Sequence, residues 1–290
     1  RRLLAAVLLT LCGVAGALAQ QAESRFAFVI GNDAYEAGAS PTAANDAALV
    51  ADALRLAGFD VTGARNLDQD TLRAAYREFL AKVAAAGRGA VAALYFSGQG
   101  AQLDGENYFI PPGARLARES DFGLNAIRIS DLTRPLAGLN GRANLILLDL
   151  AYASPQTRDM ASLAPGLALI EPERSMLVSV NQAPGLVATP GAGPYGPYAQ
   201  AISEMMRVAG LNADEVFDRV RIRASELSGG TQVPWHASRI DPPLVLLERG
   251  ADAPAPAAPA TIERLKTAPI RDLNVKEGYA AAVRRDRIED

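Results

Sequence analysis

Apolar runs of strand length alternate along this chain with stretches whose apolar residues recur every three or four positions. Arg25-Phe26-Ala27-Phe28-Val29-Ile30 is a compact strand ended by Gly31-Asn32-Asp33. Ala43 to Ala57 has helix composition, with Ala44, Ala47, Ala48, Ala51, Leu54 and Leu56 as its expected apolar face. Gly58 stops that helix, and Phe59-Asp60-Val61-Thr62 reads as a short second strand. Asp70 or Thr71 is expected to cap a helix carrying Leu72, Ala75, Tyr76, Phe79, Leu80 and Val83 on one side. Val91 to Phe96 then reads as a buried strand that stops at Ser97-Gly98-Gln99-Gly100, where two glycines free the backbone for a tight loop.

The order β-α-β-α-β predicts an α/β fold, a mostly parallel sheet with helices on both faces. Asp104-Gly105 between apolar flanks signals a small hairpin, closed by Pro111-Pro112. Ser130 or Asp131 should cap a short helix through Leu139, and Ala143 to Leu148 is a buried strand stopping at Asp149. Residues 153–174 read as a Pro- and Gly-interrupted loop, Ser175 to Val180 as a fifth strand, and 184–198 as another loop. Helices are expected from Tyr198 to Ala209 and from Asn212 or Asp214 to about Arg223, with Leu244-Val245-Leu246-Leu247 as a last, edge strand.

Four segments follow. Arg1-Arg2, an apolar run from Leu3 to Leu18, and the ending Ala17-Leu18-Ala19 describe a secretory signal peptide over 1–19, cleaved before Gln20. The sheet domain spans 24–249, an Ala/Pro linker 250–260, and 261–290 reads as the start of a helical, repeat-like extension cut short. Losing Arg1 and Arg2 leaves 27 basic residues against 32 acidic ones, a charge near −5. No basic cluster with interleaved aromatics occurs, so no nucleic-acid partner is expected, nor a membrane after leader removal. The single cysteine, Cys12, lies in the leader, so the mature chain has neither thiol nor disulfide. One histidine, His236, rules out a multi-histidine metal site, and no phosphate loop or calcium-loop spacing occurs; no cofactor is expected.

Several motifs then fall into one order. Val29-Ile30-Gly31-Asn32-x-x-Tyr35, Ala44-Asn45-Asp46-Ala47 and Gly58-Phe59-Asp60-Val61 come first. Tyr95-Phe96-Ser97-Gly98-x-Gly100, Gly105-x-Asn107-Tyr108-x-x-Pro111, Leu148-Asp149 and Gln232-x-Pro234-Trp235 follow. With this set the chain, over about 24–247, resembles the caspase-like (metacaspase-type) peptidases of bacteria. The resemblance implies a three-layer fold around a six-stranded, mainly parallel sheet of order 2-1-3-4-5-6. It implies a His within Ser-Gly-His-Gly and a Cys within Leu-Asp-Ala-Cys; Gln99 and Ala151 stand at those positions. It also implies a pocket for Arg or Lys, formed here by Asp46, Ser97 and Asp149.

Peptide cleavage by that route needs a thiolate and an imidazole that accepts and returns a proton. A methyl group and an amide supply neither. The expectation is therefore an exported, catalytically inactive member acting as a binding or scaffolding module for a protein or basic peptide. The alternative is a residual or unconventional hydrolase using Ser97 or His236; the absence of a G-x-S-x-G elbow argues against Ser97 or Ser154 as its nucleophile. Asp46 as a helix cap, Asp149 as a tie for backbone amides, and Tyr195 and Tyr198 as either peptide contacts or packing are the other readings left open, with the oligomeric state.

Overall fold

The computed structural model describes residues 23–36, 40–152, 162–188 and 193–250. The segments expected as leader and C-terminal extension, and almost all of the expected linker, lie outside them. Nine strands form one sheet: β1 Ser24–Gly31, β2 Asp60–Arg65, β3 Ala90–Leu103, β4 Glu106–Ile110, β5 Ile127–Arg128, β6 Ala143–Tyr152, β7 Leu163–Ala164, β8 Met176–Val180 and β9 Trp235–Ser238. The α-helices are α1 Ala43–Leu56, α2 Gln69–Ala86, α3 Phe122–Asn125, α4 Ile129–Gly138, α5 Pro197–Met205 and α6 Ala213–Leu227.

The main path runs β2-β1-β3-β6-β8-β9, with the short strands β4 and β7 paired to β3 and β5 paired to β4. All of its pairings are parallel except the last, β8 with β9. With the small strands set aside, this is the expected 2-1-3-4-5-6 order in a mixed α/β fold. Alternation along the strands sends residues to two cores. Ala27, Val29, Val91, Ala93, Tyr95, Leu145 and Leu147 pack under α1, α5 and α6. Phe28, Ile30, Leu94, Phe96, Ile146 and Leu148 pack under α2 and α4 on the other face.

Three expectations about elements change. The apolar stretch 244–247 is no edge strand; only an isolated bridge, Asn212 to Val245, marks it. Its carbonyls are spent elsewhere: Val245 O and Leu246 O accept from the Arg25 guanidinium, and Leu244 O and Leu247 O from Ala213 N and Gly210 N. The sixth strand is Trp235–Ser238, half-buried along its length, so its sequence lacks the apolar run that marks the inner strands.

The apolar face of α1 is also rotated from expectation. Ala48 is exposed and Leu56 is 50% exposed, whereas Ala43, Asp46, Ala47, Val50, Ala53 and Leu54 are buried. An acid thus sits on the inward side of the helix. Two caps differ as well, Asp68 capping α2 through Thr71 N and Arg128 preceding α4, whereas Asn212 caps α6 as expected, in a box with Glu215.

Candidate functional site

Neither β3 nor β6 stops where the sequence suggested. β3 runs through Ser-Gly-Gln-Gly to Leu103, and β6 runs past Asp149 to Tyr152, the two staying in parallel register to Gly100 opposite Tyr152. From Gln99 onward the other edge of β3 pairs antiparallel with β4. The stretch is a strand that changes partners, so its glycines do not serve a loop. They let neighbours close in: a Cβ at Gly98 would lie 2.5 Å from the Tyr35 hydroxyl, and one at Gly100 2.8 Å from Leu150. The φ of +156° at Gly98 adds a conformation that other residues rarely adopt.

This register puts Ser97 opposite Asp149 and Gln99 opposite Ala151. Tyr35 fixes the height of Gln99, its hydroxyl accepting from Gln99 N at 3.0 Å while donating to Ile110 O at 2.8 Å. Gln99 is 4% exposed. Asp46, Ser97, Asp149 and Ala151 all line a single cavity of about 40 Å³, together with Asn181 and Gln232. Four of the five residues singled out from sequence thus meet in one place, and the fifth, Gln99, stands beside it in register. The cavity has room for a few waters or a small planar head group. Tyr152 does not fill it; that side chain lines a neighbouring hollow of about 10 Å³.

Both acids are buried, and each is held by neutral donors. Asp149 Oδ2 accepts from the Tyr95 hydroxyl and Oδ1 from Asn181 Nδ2, both at 2.9 Å. It therefore ties down side chains, not the backbone amides expected. Asp46 Oδ1 accepts from Gly196 N at 2.7 Å, which fixes the entry to α5. Asp46 is no cap either, since the α1 N-cap is Thr42 and makes no side-chain capping bond. Burial pushes the Asp46 carboxyl up to about 7, with repulsion from Asp149 adding to it and bonds from Thr42 and Gly196 opposing. Burial raises Asp149 to about 6, against the bonds from Tyr95 and Asn181. The Tyr95 hydroxyl, fully buried and beside Asp149, is raised far above its usual range and stays a donor.

No Lys or Arg lines this cavity among the described residues. Two further acceptors there have no partner among the described residues, Ser40 Oγ and Gln232 Oε1, on residues 7% and 3% exposed. Asn181 and Gln232 were missed as site residues. Asn181 directly follows the apolar run of β8, the strand-end position where ligands gather in such sheets, and that signal was available. Gln232 stood only within a motif shared with a family.

His236 is not at the site. It lies on β9, opposite Ser179 of β8, three strand spacings from β3, about 14 Å. It packs on Phe217, its Nε2 is 3.8 Å from Asp218 Oδ1, and burial lowers its pKa. Tyr198 is core, its hydroxyl donating to Ser179 Oγ at 2.8 Å, while Tyr195 is 41% exposed. Ser154 lies outside the described residues. Among the described residues no three His, Cys, Asp or Glu cluster as a metal site would require.

Against known families, the model of the caspase domain matches residues 24–245. That span holds every residue of the cavity. No curated protein matches the chain.

Proposed function

The chain belongs to the caspase-domain family of peptidases, and from that membership we propose that it is a catalytically inactive member whose acidic cavity holds a basic side chain of a peptide or protein. The observation that carries this reading is the buried pair Asp46 and Asp149, facing one cavity with no cation of the described chain to neutralise it. A buried carboxylate held only by neutral donors is costly to ionise, and a guanidinium or ammonium guest would relieve both acids at once. Arg suits better than Lys. Its five N–H donors match the free lone pairs of the carboxylates and the unpartnered Ser40 Oγ and Gln232 Oε1.

Inactivity rests on Gln99 and Ala151, which occupy the positions of the imidazole and thiol in the bacterial, metacaspase-type pattern. Position 151 offers no nucleophile and position 99 no proton acceptor near neutral pH. His236 is too far across the sheet to serve Ser97. Export rests on the leader pattern at 1–19, which points to the periplasm or beyond.

The test is calorimetric titration of the full chain with a short Arg-containing peptide, beside an assay for cleavage of fluorogenic Arg and Lys peptides. Expected are saturable binding, at least tenfold weaker in Asp149→Asn and Asp46→Asn, and no turnover. Absence of heat with the unaltered protein, or equal affinity in both variants, removes the binding reading. Turnover that depends on Ser97 removes the inactivity.

A further inference from the structure

The opposite end of the sheet carries a second, larger hollow, of about 640 Å³. It opens at the amino ends of β3, β6 and β8. Arg88 comes from the turn before β3, Arg134 from α4, and Arg174 from the residues before β8; Asn144 of β6 and Glu173 share the lining. The frame is tied by backbone bonds, Arg142 N to Ala90 O at 2.7 Å and Asn144 N to Ser175 O at 2.8 Å.

Three features set this hollow apart from ordinary charged surface. First, its three arginines are exposed, make no ion pair among the described residues and converge on one hollow, whereas the equally exposed and unpaired Arg73 and Arg77 of α2 do not line it. Against them stands one acid, Glu173, so the lining charge is 3 − 1 = +2. Second, Asn144 is 2% exposed, yet it lines the hollow and makes no side-chain hydrogen bond among the described residues. A buried amide in that position offers both donors and an acceptor to a guest. Third, Arg142, next to the lining residue Gly141, adds positive charge close by. Its Nη2 is held by the Pro242 and Pro243 carbonyls, and its Nη1 is buried without a partner.

We propose that this hollow binds a small polyanion, gripping its phosphate or carboxylate groups with Arg88, Arg134 and Arg174. The volume falls in the range of small-molecule sites, roughly 300–1,000 Å³. Guanidinium forks match oxyanions in pairs of parallel hydrogen bonds. No aromatic side chain lines the hollow, and three arginines do not make a stripe, so a nucleic-acid strand is not the guest. The site lies about 17 Å along β6 from the acidic cavity, from Asn144 to Asp149 at strand rise, and is independent of it.

Calorimetric titration of the full chain with pyrophosphate and with citrate, at low salt, tests this. Saturable one-to-one binding of at least one is expected, and the tighter of the two identifies the preferred oxyanion. Arg134→Ala/Arg174→Ala should weaken it at least tenfold. The control Arg73→Ala/Arg77→Ala removes the same charge from exposed positions on α2 and should leave it unchanged. Circular-dichroism melts confirm that both variants fold. No saturable binding of either anion, or an equal loss in the two double variants, overturns the proposal.

Discussion

At the carboxyl ends of the strands, Asp46 and Asp149 are buried around a cavity of about 40 Å³, both oxygens of Asp149 and Oδ1 of Asp46 pinned by neutral donors at under 3 Å. At the amino ends, three exposed arginines surround about 640 Å³ without an ion-pair partner among the described residues. The acidic end carries conditional charge: burial makes ionisation expensive, so the sign depends on pH and guest. The basic end carries permanent charge, because a solvated guanidinium does not deprotonate. Individual glycines differ as well: Gly98 and Gly100 are packed to contact and Gly138 is open, although Gly141 at the basic end would bring a Cβ 2.8 Å from Ala90 O.

The largest expected effect comes from rebuilding the catalytic pair at the acidic end. Gln99 and Ala151 are register partners on adjacent strands, about 4.8 Å apart. If the proposed inactivity is right, Gln99→His/Ala151→Cys should create Arg-peptide turnover that the unaltered chain lacks, read by fluorogenic assay. Silence in a folded double variant would mean that the surrounding groups no longer present a scissile bond.

Next in size is Gly98→Ala. A methyl group would meet Tyr35 Oη at 2.5 Å and Phe109 at 3.0 Å on a strained backbone. A loss of about 2–4 kcal/mol is expected in denaturant unfolding, together with loss of peptide binding.

The acid pair predicts a pH profile of similar scale. Asp46 and Asp149 have folded values raised to about 7 and about 6, above an unfolded value near 3.9. The folded state therefore holds more protons than the unfolded one in this window. Their contribution favours folding at low pH and is lost as pH rises from about 4 toward 7. Melting temperature should fall between pH 5 and 8 and flatten in Asp46→Asn. Arg-peptide affinity should rise over the same range. A profile unchanged by Asp46→Asn would show that the pair does not set it.

The smallest effect belongs to the open end. Gly138→Ala adds a methyl group that meets nothing within 4 Å, at the last residue of α4. A gain of about 0.5–1 kcal/mol is expected from helix propensity. A loss comparable to that at Gly98 would erase the distinction between the two ends.

Much of this was legible in the sequence, for identifiable reasons. The inner strands β1, β3, β6 and β8 are buried on both faces, so their near-continuous apolar runs are hard to mistake. The motifs pointed to Asp46, Ser97 and Asp149, which line one cavity. What failed was context. The glycines at 98 and 100 carry the same letters whether they turn a loop or admit Tyr35 and Leu150. The helical spacing of α1 allowed more than one face, and nothing local revealed that the buried one includes Asp46. Strand β9 is half-buried with His236 and Ser238 in it, while Leu244 and Leu246 are apolar because they fill a core, not because they pair. The arginines at 88, 134 and 174 are scattered over 87 positions and share a site only after the sheet brings their loops together.

Arg25 near the start of β1 clasps the carbonyls of Ala57, Val245 and Leu246. The two ends of the described fold are therefore neighbours, stitched by one side chain. Tension applied through both ends would fall first on that clasp and not on the parallel ladder between β1 and β3. The domain would give up its last few residues under load before its sheet began to shear. Held between tethers, it would behave as a bead with a safety catch, and Arg25→Ala would remove the catch. Pulling single molecules should then show the first, small extension step disappear while the main unfolding force stays the same.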